Sequence, residues 1–502
     1  MKQEFKRIKN MEIKVIQNEL SKIDCDVIVA GLFEQPELNG SAAELNNALD
    51  GIISKYVIEK DKFEAKFGQT YILQTYDKIA ASKVLLVGLG KEEELDIAKL
   101  RELGAKIAKK CDSTLKAKTV CLTPYGKGIE GISLYDATKA IVHGILIGAY
   151  KFDRYLGEKT SSIEVFEIAE NNNPQEAENG AKTGQIIGEA VNIARDLINE
   201  PASVVTPEYL AETALQIEGL ETKVMDEDEV GEMGMDAFLA VSYGSAEEPK
   251  FIHMKYTPDG TPKKKIAIIG KGLTFDSGGL DLKPPKSMRN MKTDMSGAAA
   301  VIGIMSKIRE LKPNVEVHAL IAATENMPGC AAYKPGDIIR ALNGKTIEVD
   351  NTDAEGRLTL ADAIAYAAKL DVDEIIDIAT LTGACIVALG EEAAGIMGNN
   401  QELIDNLIKA GEKGAERFWQ LPLYPEHATA IKSPVADIKN TGSTTGGGAM
   451  TAAAFLKEFT DNKNWAHIDI AGPAYLEKEM RGTPKGASGF TVASLIEYLI
   501  AQ

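Results

Sequence analysis

The chain has 502 residues, enough for two or three domains at about 150 residues each. Apolar residues make up 44% and charged residues 26%, the balance of a folded globular protein, which excludes a disordered or low-complexity chain. Lys and Arg number 56 against 74 Asp and Glu, a net charge of −18, the wrong sign for a main partner that is nucleic acid or an anionic membrane.

The opening stretch, MKQEFKRIKNMEIKVI, carries charge without an apolar core, so no secretory signal is expected. Apolar runs at 11–17, 25–33, 83–90 and 119–126 read as short buried strands. Residues 95–111 and 134–150 carry helical spacing, and strands alternating with helices imply parallel α/β layers. Residues 170–180, ENNNPQEAENG, have no apolar period and contain Pro174, which marks the edge of a first domain. A connecting helix is expected over 181–199, stopped by Pro201. Thr206 and Pro207 then pair as the N-cap and first-turn proline of the next helix. From there the alternation resumes, with strands expected at 265–272, 315–323 and 374–384 and helices at 296–311 and 358–370. These make a larger α/β unit over about 200–502. No apolar run approaches the roughly 20 residues that a membrane span needs. Five scattered cysteines, Cys25, Cys111, Cys121, Cys330 and Cys385, form no CxxC pair, which argues for a reducing, cytoplasmic setting without disulfides or a zinc ribbon.

Several glycine-rich turns fall short of nucleotide loops. Gly88-Leu89-Gly90 carries Glu93 where a dinucleotide fingerprint needs its third glycine, and Gly270-Lys271-Gly272 carries Phe275 there. Gly344-Lys345-Thr346 has Ile339 where a phosphate loop needs its leading glycine, and reads as a turn. The Gly446–Gly448 run reads as a flexible loop, a linker or the rim of a site. No two of the five histidines, His143, His253, His318, His427 and His467, lie within five residues, so no HExxH zinc helix is present.

The informative cluster is acidic. GKGLTFDSGG at 270–279 leads to Lys283 and then to Asp294, which stands just before a small-residue helix. NTDAEGRL at 351–358 places Asp353, Glu355 and Arg357 at alternating positions, on one side if the segment is extended. Asp276 and Asp294 both fall where α/β sheets put their sites, at the carboxyl ends of strands. One such charge run reads as a solvated turn, but together Asp276, Asp294, Asp353 and Glu355 would repel strongly if buried unless cations neutralised them. A histidine-free carboxylate set suits magnesium or manganese, with zinc also open, and a pair of such ions points to hydrolysis. Lys271 could act as a neutral nitrogen ligand, and Lys283 could stay protonated to stabilise an oxyanion.

These motifs resemble the signatures of the leucyl aminopeptidases, the cytosol aminopeptidase family of dinuclear metallopeptidases. The resemblance covers about residues 185–502 and includes NEP at 199–201 and ATLTGA at 379–384. It implies a two-domain α/β chain: a smaller N-terminal α/β domain over 1–170, a linker and connecting helix over 171–200, and a larger catalytic domain over 201–502 with a central mixed sheet flanked by helices. It also implies that Lys271, Asp276, Asp294, Asp353 and Glu355 hold two divalent ions, manganese, zinc or magnesium. Lys283 would polarise the scissile carbonyl, and Arg357 would hold a bicarbonate. Met291, Thr380, Gly383 and Ala471 would line the pocket for the first side chain. Short peptides are the implied substrates and a homohexamer the implied assembly. A dinuclear phosphoesterase, or a non-catalytic binder on the same fold, are the rival readings.

Overall fold

A computed structural model of the chain describes residues 11–34, 38–157, 162–443 and 446–502. The first ten residues of the charged opening stretch, on which the signal-peptide reading rests, lie outside them. The chain divides into two compact units, one of Met1–Glu189 with Glu479–Pro484 and the other of Ala190–Lys478 with Lys485–Gln502.

The first unit holds strands β1 (Glu12–Ile16), β2 (Val27–Phe33), β3 (Thr70–Gln74), β4 (Lys83–Gly90), β5 (Thr119–Leu122) and β6 (Val165–Ala169) in one sheet of order β1-β6-β5-β2-β4-β3. All neighbours are parallel except β3, which pairs antiparallel with β4 and so corrects the expected all-parallel layer. Only residues 75–82 join those two strands, fewer than the dozen or so a parallel crossover requires. Val27 and Val29 pack into one core with residues of the helices Ile97–Lys110 and Leu134–Ala149. Ile28, Ala30 and Leu32 pack into another, on the helix Gly40–Ala48. Burial on both faces is why these strands read as continuous apolar runs.

The polar stretch at 170–180, expected to be a boundary, is instead mostly the start of one long helix, Pro174–Asn199. Glu170 accepts backbone N–H bonds from Asn172 and Asn173 (2.8 and 3.1 Å), which winds the chain into that helix. A Cβ at Gly180 or Gly184 would stand 2.4 Å from the carbonyl oxygen of Tyr135 or Lys139. This part of the helix therefore packs through its backbone and shows no apolar period.

The second unit contributes β7 (Glu221–Met225), β8 (Lys250–Tyr256), β9 (Lys265–Asp276), β10 (Glu316–Asn326), β11 (Ile338–Arg340), β12 (Thr346–Glu348), β13 (Glu374–Ala379), β14 (Ala394–Gly398), β15 (Phe418–Gln420), β16 (Ile438–Lys439) and β17 (Asn464–Asp469). Eight of them form a mixed sheet of order β15-β14-β17-β13-β9-β10-β8-β7. Its four central strands, β17, β13, β9 and β10, are parallel, with antiparallel pairings outside them at β10–β8 and β14–β17. The expected strand at 374–384 ends at Ala379, because Thr382 accepts a bond from the Cys385 N–H (3.0 Å) and caps a helix at Gly383–Leu389. Helices form at Ser296–Leu311 and Gly356–Lys369, and Thr206 caps Pro207–Leu215 as its spacing predicts. Gly344 turns the chain between β11 and β12 at φ +91°, as the turn reading requires. Among the described residues no helix is long and apolar enough to cross a membrane.

Candidate metal centre

The four central parallel strands all end at one place. Asp276 closes β9, Asn326 closes β10, Thr380 follows β13, and Asp469 closes β17. Carboxyl ends of parallel strands are where such sheets present their sites. Two helices begin there as well. Asp294 stands just before Ser296–Leu311 and Glu355 occupies the N-cap position of Gly356–Lys369, so both carboxylates lie near the positive end of a helix dipole. The first of these helices reaches the sheet because it is small: a Cβ at Gly297 would lie 2.1 Å from the Ile378 carbonyl oxygen.

Lys271, 3% exposed, lies between Asp294 and Glu355, with its Nζ 2.7 Å from Asp294 Oδ2 and 2.9 Å from Glu355 Oε1. It also donates to the carbonyl oxygen of Thr380 (3.1 Å), whose hydroxyl donates to Asp294 Oδ1 (2.7 Å). Lys283 joins the other two acids, 2.8 Å from Asp276 Oδ2 and 2.5 Å from Asp353 Oδ1. Burial disfavours both ammonium groups, yet the surrounding carboxylates outweigh it and raise both lysines above their usual range. Burial, then the charges of neighbouring acids, likewise raises the Glu355 and Asp294 carboxyls. To serve as a nitrogen ligand Lys271 must give up the proton that these carboxylates favour.

The donor set fits divalent cations. Oxygens of Asp276, Asp353 and Glu355 lie within 4.8 Å of one another, and Glu355 Oε2 is buried without a hydrogen-bond partner. Four carboxylates face only two ammonium groups, leaving excess negative charge in a buried place. Carboxylate and amine donors without thiol or imidazole suit magnesium, manganese or zinc. Arg357, half-buried, donates from Nη1 to the Asn440 carbonyl oxygen (2.7 Å), while its buried Nε has no hydrogen-bond partner among the described residues. Burial lowers its pKa to about 10, so it remains a cation at neutral pH, with donors to offer a planar anion such as bicarbonate.

The expected side-by-side arrangement of Asp353, Glu355 and Arg357 is corrected. Residues 351–355 turn instead of extending, and Arg357 is the second residue of a helix. The turn sends Asp353 to Lys283 and Glu355 to Lys271, while Arg357 faces Asn440. Around these, Met291 lies in a short helical turn before Asp294, Gly383 opens its helix at the surface, and Ala471 follows β17.

Sequence reasoning missed a supporting ring. Asn326 donates from Nδ2 to Asp276 Oδ1 (2.9 Å) and to the Thr352 carbonyl (3.1 Å), and Tyr333 donates to that same carbonyl (2.7 Å). Thr352 donates its hydroxyl to the Gly278 carbonyl oxygen (2.7 Å), tying the two acidic motifs together. Asp469 ends an apolar strand run with a polar side chain, the signal that already singled out Asp276, whereas Asn326 follows Thr324 and Glu325 and carries no such mark.

Two family models match the chain. One, described as the catalytic domain of the cytosol aminopeptidase family, covers residues 192–496, and the other, the N-terminal domain of that family, covers residues 29–159. A probable cytosol aminopeptidase of Persephonella marina is 45% identical over 499 residues, 98% of this chain and 100% of that protein. A probable cytosol aminopeptidase of Aquifex aeolicus is 44% identical over 501 residues, 98% of this chain and 99% of its own length. Among solved structures, a mutant of tomato leucine aminopeptidase matches with a TM-score of 0.88 and 35% identity over 98% of this chain and 97% of that one. The bottromycin maturation enzyme BotP in complex with Mn matches with a TM-score of 0.85 and 31% identity over 95% and 99%.

Proposed function

The chain belongs to the cytosol aminopeptidase family, and from that premise we propose a cytoplasmic leucyl aminopeptidase that releases leucine and other apolar N-terminal residues from short peptides. The observation that carries this reading is the convergence of Asp276, Asp353 and Glu355 within 4.8 Å, interleaved with Lys271 and Lys283, at the carboxyl ends of the central strands. Lys271, Asp276, Asp294, Asp353 and Glu355 are the residues that would hold two ions. Two divalent ions held there would supply Lewis acidity and lower the pKa of a bound water.

This chain's own residues do the rest. Lys283, held as an ammonium by Asp276 and Asp353, donates to the scissile carbonyl oxygen as negative charge builds there. Arg357 orients a bicarbonate, which supplies the proton acceptor that a guanidinium cannot be. Asp294 anchors the free amine of the peptide, which limits cleavage to the first residue. Met291, Thr380, Gly383 and Ala471 form a slot for that residue's side chain, and a flexible methionine beside small residues tolerates several shapes. The assembly we propose is a homohexamer, on family resemblance.

The test is hydrolysis of leucine p-nitroanilide by chelator-treated protein before and after manganese is restored, beside N-acetyl-leucine p-nitroanilide. Activity that disappears with chelator, returns with manganese and is absent on the blocked substrate supports the reading. A protein silent with manganese, zinc and magnesium alike refutes it.

A further inference from the structure

We propose that Asp469 is a positioning residue that holds the walls of the first-residue pocket in place and so sets the preference for large over small side chains. The inference rests on the aminopeptidase reading above. Asp469 ends β17, is fully buried, and spends its carboxylate on two loops. Oδ1 accepts the backbone N–H of Leu381 (3.2 Å) and of Ala471 (3.1 Å), while Oδ2 accepts the Thr382 hydroxyl (2.6 Å).

Each of these bonds acts on a pocket residue or its chain neighbour. Thr380 precedes Leu381, Gly383 follows Thr382, and Ala471 is bonded directly. Thr382 also accepts the Cys385 N–H (3.0 Å), so Asp469 orients the cap of the helix that begins at Gly383. The loop after β13 is thus pinned from two sides. Lys271 and Asp294 hold Thr380 toward the acidic cluster, and Asp469 holds Leu381 and Thr382 toward β17.

A carboxylate suits this job better than a neutral side chain. Its two oxygens act only as acceptors, and all three groups facing it are donors. An asparagine of the same shape can keep the two backbone bonds on its oxygen, but its NH2 can meet Thr382 only as a donor to a hydroxyl oxygen that already accepts the Cys385 N–H, so the hydroxyl must turn its hydrogen away. The strong carboxylate bond at Thr382, next to Gly383, is then exchanged for a weaker neutral one of reversed direction, while the cluster of acids and lysines keeps all its contacts. A leucine-sized side chain has more surface to lose against a loosened wall than an alanine-sized one. Asp469 also places negative charge within range of Arg357 and His467, which helps to keep its own burial tolerable.

The experiment compares manganese-loaded wild type, Asp469→Asn, Thr382→Val and Thr382→Ser on leucine, methionine and alanine p-nitroanilides, with metal content and melting temperature measured on each. Asp469→Asn is expected to keep its metal and its alanine rate within about twofold, while kcat/KM for leucine falls about tenfold, mainly through KM. Thr382→Val should shift the leucine-to-alanine ratio in the same direction, and Thr382→Ser, which restores the hydroxyl, should not. A ratio that stays at the wild-type value in both Asp469→Asn and Thr382→Val, with leucine and alanine rates unchanged or falling in parallel, overturns the proposal. Should Asp469→Asn fail to fold, the two Thr382 variants decide the matter. A wild type silent on every anilide overturns the aminopeptidase reading and this inference with it, whereas an active wild type with an unmoved ratio overturns this inference alone.

Discussion

Gly356 separates the fold from the site more cleanly than any other position. A Cβ there would stand 2.3 Å from Lys271 Cε and 2.6 Å from its Nζ. Ordinary contacts between such atoms are about 3.5–4.0 Å, so the end of Lys271 must withdraw by more than ~1 Å. Its Nζ now lies 2.7, 2.9 and 3.1 Å from Asp294, Glu355 and the Thr380 carbonyl. A shift of that size breaks hydrogen-bond geometry at one or more of them. For the fold, the atom that moves is the end of a flexible side chain, and the overpacking costs about 1–3 kcal/mol. Alanine's helix propensity, better than glycine's by roughly 1 kcal/mol, offsets part of this. Gly356→Ala should therefore melt only a few degrees below wild type. A misplacement of this size at a reacting centre costs on the order of 100-fold, and kcat/KM on leucine p-nitroanilide should fall by about that much. Manganese titration by calorimetry should show weakened binding in the same folded sample. A folded Gly356→Ala with wild-type manganese affinity and kcat/KM would refute the reasoning, as would a loss of activity that unfolding accounts for entirely.

Lys283→Gln keeps a polar side chain, one atom shorter, and removes its charge, so kcat should fall by about 10²–10³-fold with KM little changed. Steady-state kinetics on protein of verified metal content checks this, and an unchanged kcat would remove Lys283 from the reaction. A second expectation concerns acid. His253 Nε2 and His318 Nδ1 lie 2.9 Å apart, and burial, then the His318 charge, lowers the His253 pKa to about 4. The unfolded chain takes up protons below about pH 6.5 while the folded His253 does not, so stability is lost as pH falls from 6.5 toward 4. Denaturant titrations at pH 7 and pH 5 should show a smaller drop for His253→Gln than for wild type, and equal drops would contradict this assignment.

The acidic motifs could be read in advance because charged residues at the ends of strands and helices leave short, local marks: an apolar strand that ends in Asp276, a small-residue helix after Asp294, and three charges within NTDAEGRL. Long helices such as Ser296–Leu311 were legible for a similar reason, since their periodicity repeats along the chain. The weaker strands were not. β7 and β8 pair antiparallel at one side of the large sheet, and β15 has three residues, too few to show a period. The Pro174–Asn199 helix begins seven residues before the expected start at 181, because contacts made by bare backbone at Gly180 and Gly184 leave no apolar signature.

Asn326 and Asp469 show the limit from the other side. Neither belongs to a sequence motif, and each acquires its role only through partners far along the chain, Thr352 for Asn326 and Leu381 with Thr382 for Asp469. The chain's residues by themselves pointed to the acidic cluster, the family and the two-domain α/β class, since side-chain chemistry and spacing are local properties. Tertiary structure decided how the acids share their lysines and why Asp353, Glu355 and Arg357 part company instead of standing in a row. A turn ending in a helix cap separates them, and the room for Lys271 beneath that helix exists only because Gly356 has no side chain to fill it.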